Sequence, residues 1–347
     1  MAFAVPGDLA TPTGGYVYDR HIVAGLGALG WRVEVLDLGV GFPRPSEVTK
    51  AAAHARLAAL PDGRMVVIDG LALGVLPDTA EALHRSRRLV ALVHHPLALE
   101  SGLSESEAAA LRKSECAALS CARRVIVTSE STARVVAADY GVPADRINVV
   151  RPGTERVAIA RRDESNAIVS LLAVGSVIRR KGYDVLIAAL AALPDRPWRL
   201  VIAGDRDRDG ATAQTLADQI RRSGLADRVT LLGAVSQERL ASLYAEADLF
   251  VLPSRFEGYG MAYTEAIAYG VPVIGTTAGA IPEAVPAGAG MLVAPDDAGA
   301  LTAVLARLFA DPAERERLSA GARAAAATLP TWEEAGRMFA RALDAAA

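Results

Sequence analysis

The sequence predicts an α/β protein made of two Rossmann-like domains. Three observations predict it. Short β-branched apolar runs alternate with longer amphipathic segments along the whole chain, the pattern of strands and covering helices in a parallel sheet. The alternation pauses once, over residues 150–167, where the chain turns polar, charged and Pro/Gly-marked. The length, 347 residues, exceeds what one ordinary core holds and suits two.

In the first half, "AFAV", "RVEVLDL", "RMVVIDG", "RLVALVHH", "RVIVTS" and "RINVV" are the strand candidates. Each is nearly continuous in apolar or β-branched residues, as buried parallel strands are. Helical periodicity falls between them, at about 16–29, 46–60, 77–87, 105–121 and 131–140. After the pause come "AIVSLLAVGS", "WRLVIAG", "RVTLLG", "DLFVLPS", "PVIGT" and "GMLVAP". Helices are expected at about 181–193, 211–223, 236–245, 261–269, 297–310 and 313–327, with a last one at about 331–345. Ser236 with Glu238, and Asp311 before Pro312, mark helix starts. The expected domains are 1–155 and 156–330, followed by the C-terminal helix 331–347.

Composition narrows the function. Apolar residues make up 52% of the chain, which argues against disorder, and the net charge of -3 gives no basic field for nucleic acid. Cys116 and Cys121 lack metal-ligand spacing and read as small apolar residues. "MAFAVPGDLA" has neither a basic start nor a long apolar run, and no stretch reaches a membrane span of about 20 residues. The expectation is a cytoplasmic protein, with peripheral membrane contact left open. Only three lysines, Lys50, Lys113 and Lys181, stand against 34 arginines, which draws attention to each of them.

Ligands of open α/β sheets bind beyond the carboxyl ends of the strands, so the loops that follow strands carry the chemistry. Gly14 and Gly15 follow the first strand and precede a helix, a place for either a tight turn or a close backbone approach to a ligand. No G-x-G-x-x-G is present there, which disfavours a nicotinamide oxidoreductase. His94 and His95 end the fourth strand, where a histidine either hydrogen-bonds a ligand hydroxyl, moves a proton, or is satisfied by backbone. Without a further His/Cys/Asp cluster, no metal is expected. After "LLAV", Gly175 and Gly182 bracket Arg179, Arg180 and Lys181, cations suited to a diphosphate. Asp205, Asp207 and Asp209 form overlapping Asp-x-Asp patterns, but the interleaved arginines favour a turn-forming loop over a Mg²⁺ site.

The densest loop is "SRFEGYGMAYTEAIAYGVPVIGT". Glu257 precedes a helix that begins near Met261, and Glu265 lies about one turn inside it. Two carboxylates so placed meet different parts of one elongated ligand. The backbone N–H groups of Gly258, Tyr259, Gly260 and Met261 face its phosphates, favoured by the helix N-terminus. Glu265 can pair two neighbouring hydroxyls such as those of a ribose. The plainer reading is a capping carboxylate and a surface glutamate.

"FEGYGMAYTEAIAYGVPVI" resembles the E-x₇-E signature of retaining glycosyltransferases of family four, which have the GT-B fold. "VGSVIRRKGYDVLIAAL", "VIAGD", "LYAEADLFVLPS" and "TTAGAIPEAV…GMLVAPDD" resemble the same family in its order, densely over 168–311. Across 1–155 only the "TGGY" loop and the strand-end His carry the likeness. The resemblance implies two Rossmann-like domains facing across a cleft, and a C-terminal helix, with Trp332, crossing back onto the first. It implies that Glu257 holds the donor sugar, that 258–261 bind sugar and phosphate, and that Glu265 binds the ribose. Arg180 and Lys181 would stabilise the leaving diphosphate. His94 would lie near the transferred sugar, and Gly15 near phosphates or acceptor. Ser176 stands where such members often carry Arg; Arg179 is the cation left to supply that charge.

The expected function is retaining, metal-independent transfer of a sugar from a nucleotide-diphosphate sugar to a glycan, lipid-linked or small-molecule acceptor, with no cofactor beyond that co-substrate. A sugar-nucleotide epimerase, a phosphorylase and a non-catalytic nucleotide-sugar-binding protein are the alternatives. For a lipid-linked acceptor, "HRSRR" (84–88) and "LRK" (111–113) are candidate docking cations, against a reading as solvated helix ends.

Overall fold

A computed structural model of the chain describes residues 1–11, 13–157 and 168–346. The chain divides into two compact units. One comprises residues from Met1 to Gly153 together with the C-terminal residues from Pro330; the other runs from Thr154 to Leu329. The pause expected over 150–167 thus contains the unit boundary, and its portion 158–167 lies outside the described residues.

Unit 1 contains β1 (Ala2–Val5), α1 (Gly14–Ala28), β2 (Glu34–Asp37), α2 (Glu47–Ala58), β3 (Met65–Asp69), α3 (Gly70–Leu73), α4 (Pro77–Leu83), β4 (Arg88–Val93), α5 (Glu105–Ser120), β5 (Arg124–Val127), α6 (Glu130–Tyr140) and β6 (Ile147–Val149). Its strands form one parallel six-stranded sheet in the order β2-β1-β3-β4-β5-β6. Every residue of β1 and β3 is buried, as their unbroken apolar sequences require. β2 departs from the buried strand that "RVEVLDL" suggests. It is an edge strand paired only with β1, and Glu34, Val35 and Asp37 are exposed.

Unit 2 contains β7 (Val169–Val174), α7 (Tyr183–Ala191), β8 (Trp198–Ala203), α8 (Gly210–Arg222), β9 (Val229–Gly233), α9 (Gln237–Glu246), β10 (Leu249–Val251), α10 (Met261–Ala268), β11 (Val273–Thr276), α11 (Ile281–Ala284), β12 (Gly290–Val293), α12 (Ala298–Ala310) and α13 (Pro312–Ala326). Its parallel sheet has the order β12-β11-β10-β7-β8-β9. Leu171, Leu172, Leu249, Phe250 and Ile274 fill its buried centre. Asp311 caps α13, accepting from the Glu314 N–H, and Ser236 caps α9, accepting from the Arg239 N–H.

Each sheet has a topological switch point, where neighbouring strands send their connections to opposite sides and a crevice opens at their carboxyl ends. In unit 1 it lies between β1 and β3, and in unit 2 between β7 and β10. The loops singled out in the sequence follow β1, β7 and β10.

The last helix, α14 (Trp332–Asp344), packs in unit 1 against α1. A capping box of Thr331 and Glu334 starts it. Phe339 is fully buried, its ring 6.3 Å from that of Phe3 on β1. Trp332 stacks on His21 at 4.1 Å and meets Tyr18 edge-on at 6.0 Å. Removing the Phe339 ring leaves a cavity in the joint between sheet and helix. Phe339→Ala is expected to cost about 3–5 kcal/mol in urea denaturation, whereas Met338→Ala, at a half-exposed neighbour, stays within about 0.5 kcal/mol.

Candidate active site

In unit 2 the loop after β7 brings Arg180 and Lys181 against the loop after β10. The Glu257 carboxylate, 6% exposed, accepts from Arg180 Nη1 at 2.9 Å on Oε2. On Oε1 it accepts from Lys181 Nζ at 2.7 Å and Ser254 Oγ at 2.7 Å. Arg180 Nη1 also donates to the Phe256 carbonyl at 2.8 Å. Burial pushes the Glu257 carboxyl up, but Lys181 and Arg180 outweigh it and hold the group down to about 2. Burial lowers the Lys181 ammonium, and the Glu257 charge only partly offsets this. Two cations on one carboxylate leave the cluster with one positive charge in surplus.

Gly175 makes this arrangement possible. Its φ is +148°, and a Cβ there would stand 2.9 Å from Lys181 Cε, so a side chain would push the lysine stem aside. Arg255 braces the two loops together. Its guanidinium takes Asp184 in a fork at 2.9 and 2.7 Å and Asp296 at 2.7 Å, and its N–H donates to the Arg180 carbonyl at 2.8 Å. Arg179 is exposed and gives its carbonyl to Arg255 Nη1 at 2.5 Å.

Beside the carboxylate, α10 starts at Gly260, and no side chain caps it. Glu257 is therefore not a capping residue. Gly258 and Tyr259 are buried, and Gly260 and Met261 half-buried, in the turn that leads into the helix. Glu265 is half-buried and accepts from Tyr244 Oη at 2.9 Å. Burial raises its carboxyl, opposed by that hydrogen bond and by the charge of Lys181. The Asp-x-Asp loop is local structure. Asp205 accepts from the Asp207 N–H at 2.8 Å, and Asp209 caps α8.

Unit 1 has its own polar cluster at its switch point. His94, just past β4, points Nε2 at Asp19 Oδ1 of α1 (3.2 Å) and at Asp69 Oδ2 ending β3 (3.5 Å). Asp19 is fully buried and Asp69 2% exposed. Tyr18 meets the imidazole edge-on at 5.3 Å. Gly15 is where α1 passes His94: a Cβ there would lie 3.3 Å from the ring's Cδ2. The glycine thus serves close packing on the histidine. His95 turns elsewhere, 3.4 Å from Glu100.

Two sequence expectations need correction. A His/Cys/Asp cluster does accompany His94, because the fold joins Asp19, Asp69 and His94 from three separate elements. Their ligand atoms lie within 4.8 Å of one another, and the same holds for Glu81, His84 and Cys121. Sequence spacing hides both groups. "HRSRR" is not simply a solvated end, since Arg87 is buried, ion-paired to Asp62 and bonded to the Ala58 carbonyl at 3.1 Å. Asp19, Asp69, Ser254 and Arg255 escaped sequence reasoning; the faint signals were a charged residue inside apolar "YVYDRHIV" and a carboxylate ending a strand in "VVIDG".

Two doubly wound units, each with polar groups at its switch point, are the architecture of GT-B glycosyltransferases, and the comparisons give the class. Residues 157–325 match the model described as Glycosyl transferases group 1, and residues 13–158 match Glycosyltransferase Family 4. The chain is 30% identical over 308 residues to an MMP alpha-(1->4)-mannosyltransferase of Mycolicibacterium hassiacum, covering 84% of this chain and 73% of that one. It is 34% identical over 212 residues to a D-inositol 3-phosphate glycosyltransferase of Xylanimonas cellulosilytica, covering 56% of this chain and half of that protein's length. Its fold matches a sucrose-phosphate synthase from Thermosynechococcus elongatus with a TM-score of 0.84 at 24% identity, over 100% of both chains. It matches Anabaena HepE in complex with UDP and glucose at 0.76 and 19%, over 99% of both. The chain belongs to glycosyltransferase family four, and it is an enzyme of that type. Among the described residues, no helix is long and apolar enough to cross a membrane.

The low Glu257 titration has a thermodynamic consequence. A carboxyl held near 2 when folded, against 4.5 ordinarily, contributes roughly 3 kcal/mol of stability. That contribution is complete above the unfolded value and is lost as pH falls through the folded one. The stability gap between wild type and Glu257→Gln, read by urea titration, is expected to shrink by roughly 2 kcal/mol from pH 5 to pH 3.

Proposed function

We propose that the protein moves a sugar from a nucleoside-diphosphate sugar to a hydroxyl acceptor, with retention of configuration and without a metal ion. The observation that carries this reading is the Arg180–Lys181–Glu257 cluster, with its surplus positive charge, beside the uncapped start of α10. Cleaving the sugar–phosphate bond builds negative charge on the diphosphate. Arg180, Lys181 and the helix terminus are preorganised to receive it, which is the role a divalent cation would otherwise fill.

Glu257 then holds hydroxyls of the donor sugar while its cations turn to phosphate, and Glu265 takes the ribose. Gly175 supports the loop, and Arg179 lies at its exposed edge. The Glu257 carboxyl is held down to about 2 and, with donor bound, is occupied by sugar hydroxyls, so it is a poor base at neutral pH. The acceptor proton accordingly passes to an oxygen of the departing diphosphate, on the face that the leaving group occupies. That route keeps the anomeric configuration. His94 contributes a hydrogen bond to a substrate hydroxyl. The relatives named for mannosyl transfer and for D-inositol 3-phosphate, and the HepE complex with UDP and glucose, support a nucleotide-sugar donor and a small hydroxylated acceptor. The two free cysteines support a reducing, cytoplasmic setting.

A thermal-shift panel of UDP-, GDP-, ADP- and TDP-sugars identifies the donor. At about 100 times its dissociation constant, the right one adds about 2.7 kcal/mol. With that donor, Lys181→Ala is expected to lower kcat by about 10²-fold or more. Nucleoside diphosphate is released only when acceptor is present, and NMR of the product shows the donor's anomeric configuration. Release without acceptor alongside an altered free nucleotide sugar would point to an epimerase instead.

A further inference from the structure

The cluster on His94 uses groups that the transfer reading leaves unassigned. Two carboxylates, Asp19 and Asp69, are buried against one imidazole nitrogen. Asp69 is anchored on its other oxygen, Oδ1, by the Leu71 N–H at 2.7 Å. Asp19 is not: its Oδ2 is buried with no hydrogen-bond partner in the protein. Tyr18, the neighbouring titratable group, is committed, its hydroxyl donating to the Val150 carbonyl at 3.0 Å. Tyr18 packs on one side of the ring and Gly15 leaves room on another, so the ring's direction is fixed by packing as well as by charge.

We propose that Asp19 and Asp69 are positioning residues that hold the His94 ring protonated, with Nε2 turned inward, so that its outer Nδ1–H is a permanent hydrogen-bond donor to a substrate hydroxyl. This deepens the transfer reading and rests on it for the identity of the acceptor of that bond. The reason is charge. With a neutral ring, two buried carboxylates would face each other with no cation between them, an expensive arrangement. One proton on His94 halves the excess, and the orphaned Oδ2 is a place for a second. The titration directions agree. Burial lowers the His94 imidazolium, but Asp19 and Asp69 outweigh it and raise it to about 10. Burial raises Asp19 to about 7 even though His94 pulls it back. Such a ring does not accept a proton at neutral pH, so it binds and polarises but is not a general base.

The test is NMR titration of the full-length protein labelled with ¹⁵N-histidine, the His94 signal being assigned by its loss in His94→Gln. It needs no turnover, so its outcome is separate from that of the transfer assays. The wild-type ring is expected to show cationic nitrogen shifts through pH 8. In Asp19→Asn its midpoint is expected to fall by at least about one pH unit. A wild-type His94 that titrates near the ordinary value overturns the proposal, whether or not the variant folds. So does a folded Asp19→Asn variant with an unmoved midpoint. Addition of Zn²⁺ supplies the third arm. Stoichiometric uptake that strips the His94 proton and disappears in Asp19→Asn would make the cluster a metal site instead.

Discussion

Unit 2 is organised around one buried carboxylate shared by two cations. Glu257 cannot be ionised inside a fold without compensation, and Arg180 and Lys181 cannot converge there without a counter-charge. Each makes the others tolerable. The parts that bring them together are secondary-structure consequences: β7 and β10 lie side by side in the sheet, so the loops at their carboxyl ends meet. Gly175 clears space for the lysine stem, and Ser254 satisfies a remaining lone pair. The result is a charged centre held near the start of α10 before any ligand arrives.

Unit 1 solves a different electrostatic problem at the equivalent place. It buries two carboxylates, Asp19 and Asp69, against one imidazole, and their charge favours the protonated ring over the cost of its burial. The two centres therefore differ in character. One gathers two cations on a single carboxylate, and the other gathers two carboxylates on a single imidazole.

Much of this could be read from the sequence, for physical reasons. Apolar runs of four to seven residues between amphipathic segments leave little choice but strands under helices, and all six expected strands of each unit are present. Glu257, Arg180 and Lys181 stood out because they sit in loops that directly follow strands. What was missed depends on the third dimension. Asp19 and His94 are 75 residues apart, and nothing local relates a helix carboxylate to a strand-end histidine. Arg255, next to a motif residue, gave no sign that its partners would be Asp184 and Asp296. β2 carries Glu34 and Asp37 among its four residues, a hint of exposure in composition, but its place at the sheet edge follows from strand order. α3 and α11, of four residues each, are too short for periodicity to reveal.

Arg255 has a further consequence. By clasping Asp184 and Asp296 and taking the backbone at Arg179 and Arg180, it fastens the two strand-end loops into one stiff piece. The backbones that carry Arg180 and Glu257 are thereby tied to one another through a single arginine. The entropy of ordering these two loops is lost once, during folding, and a ligand that meets them finds them already in place.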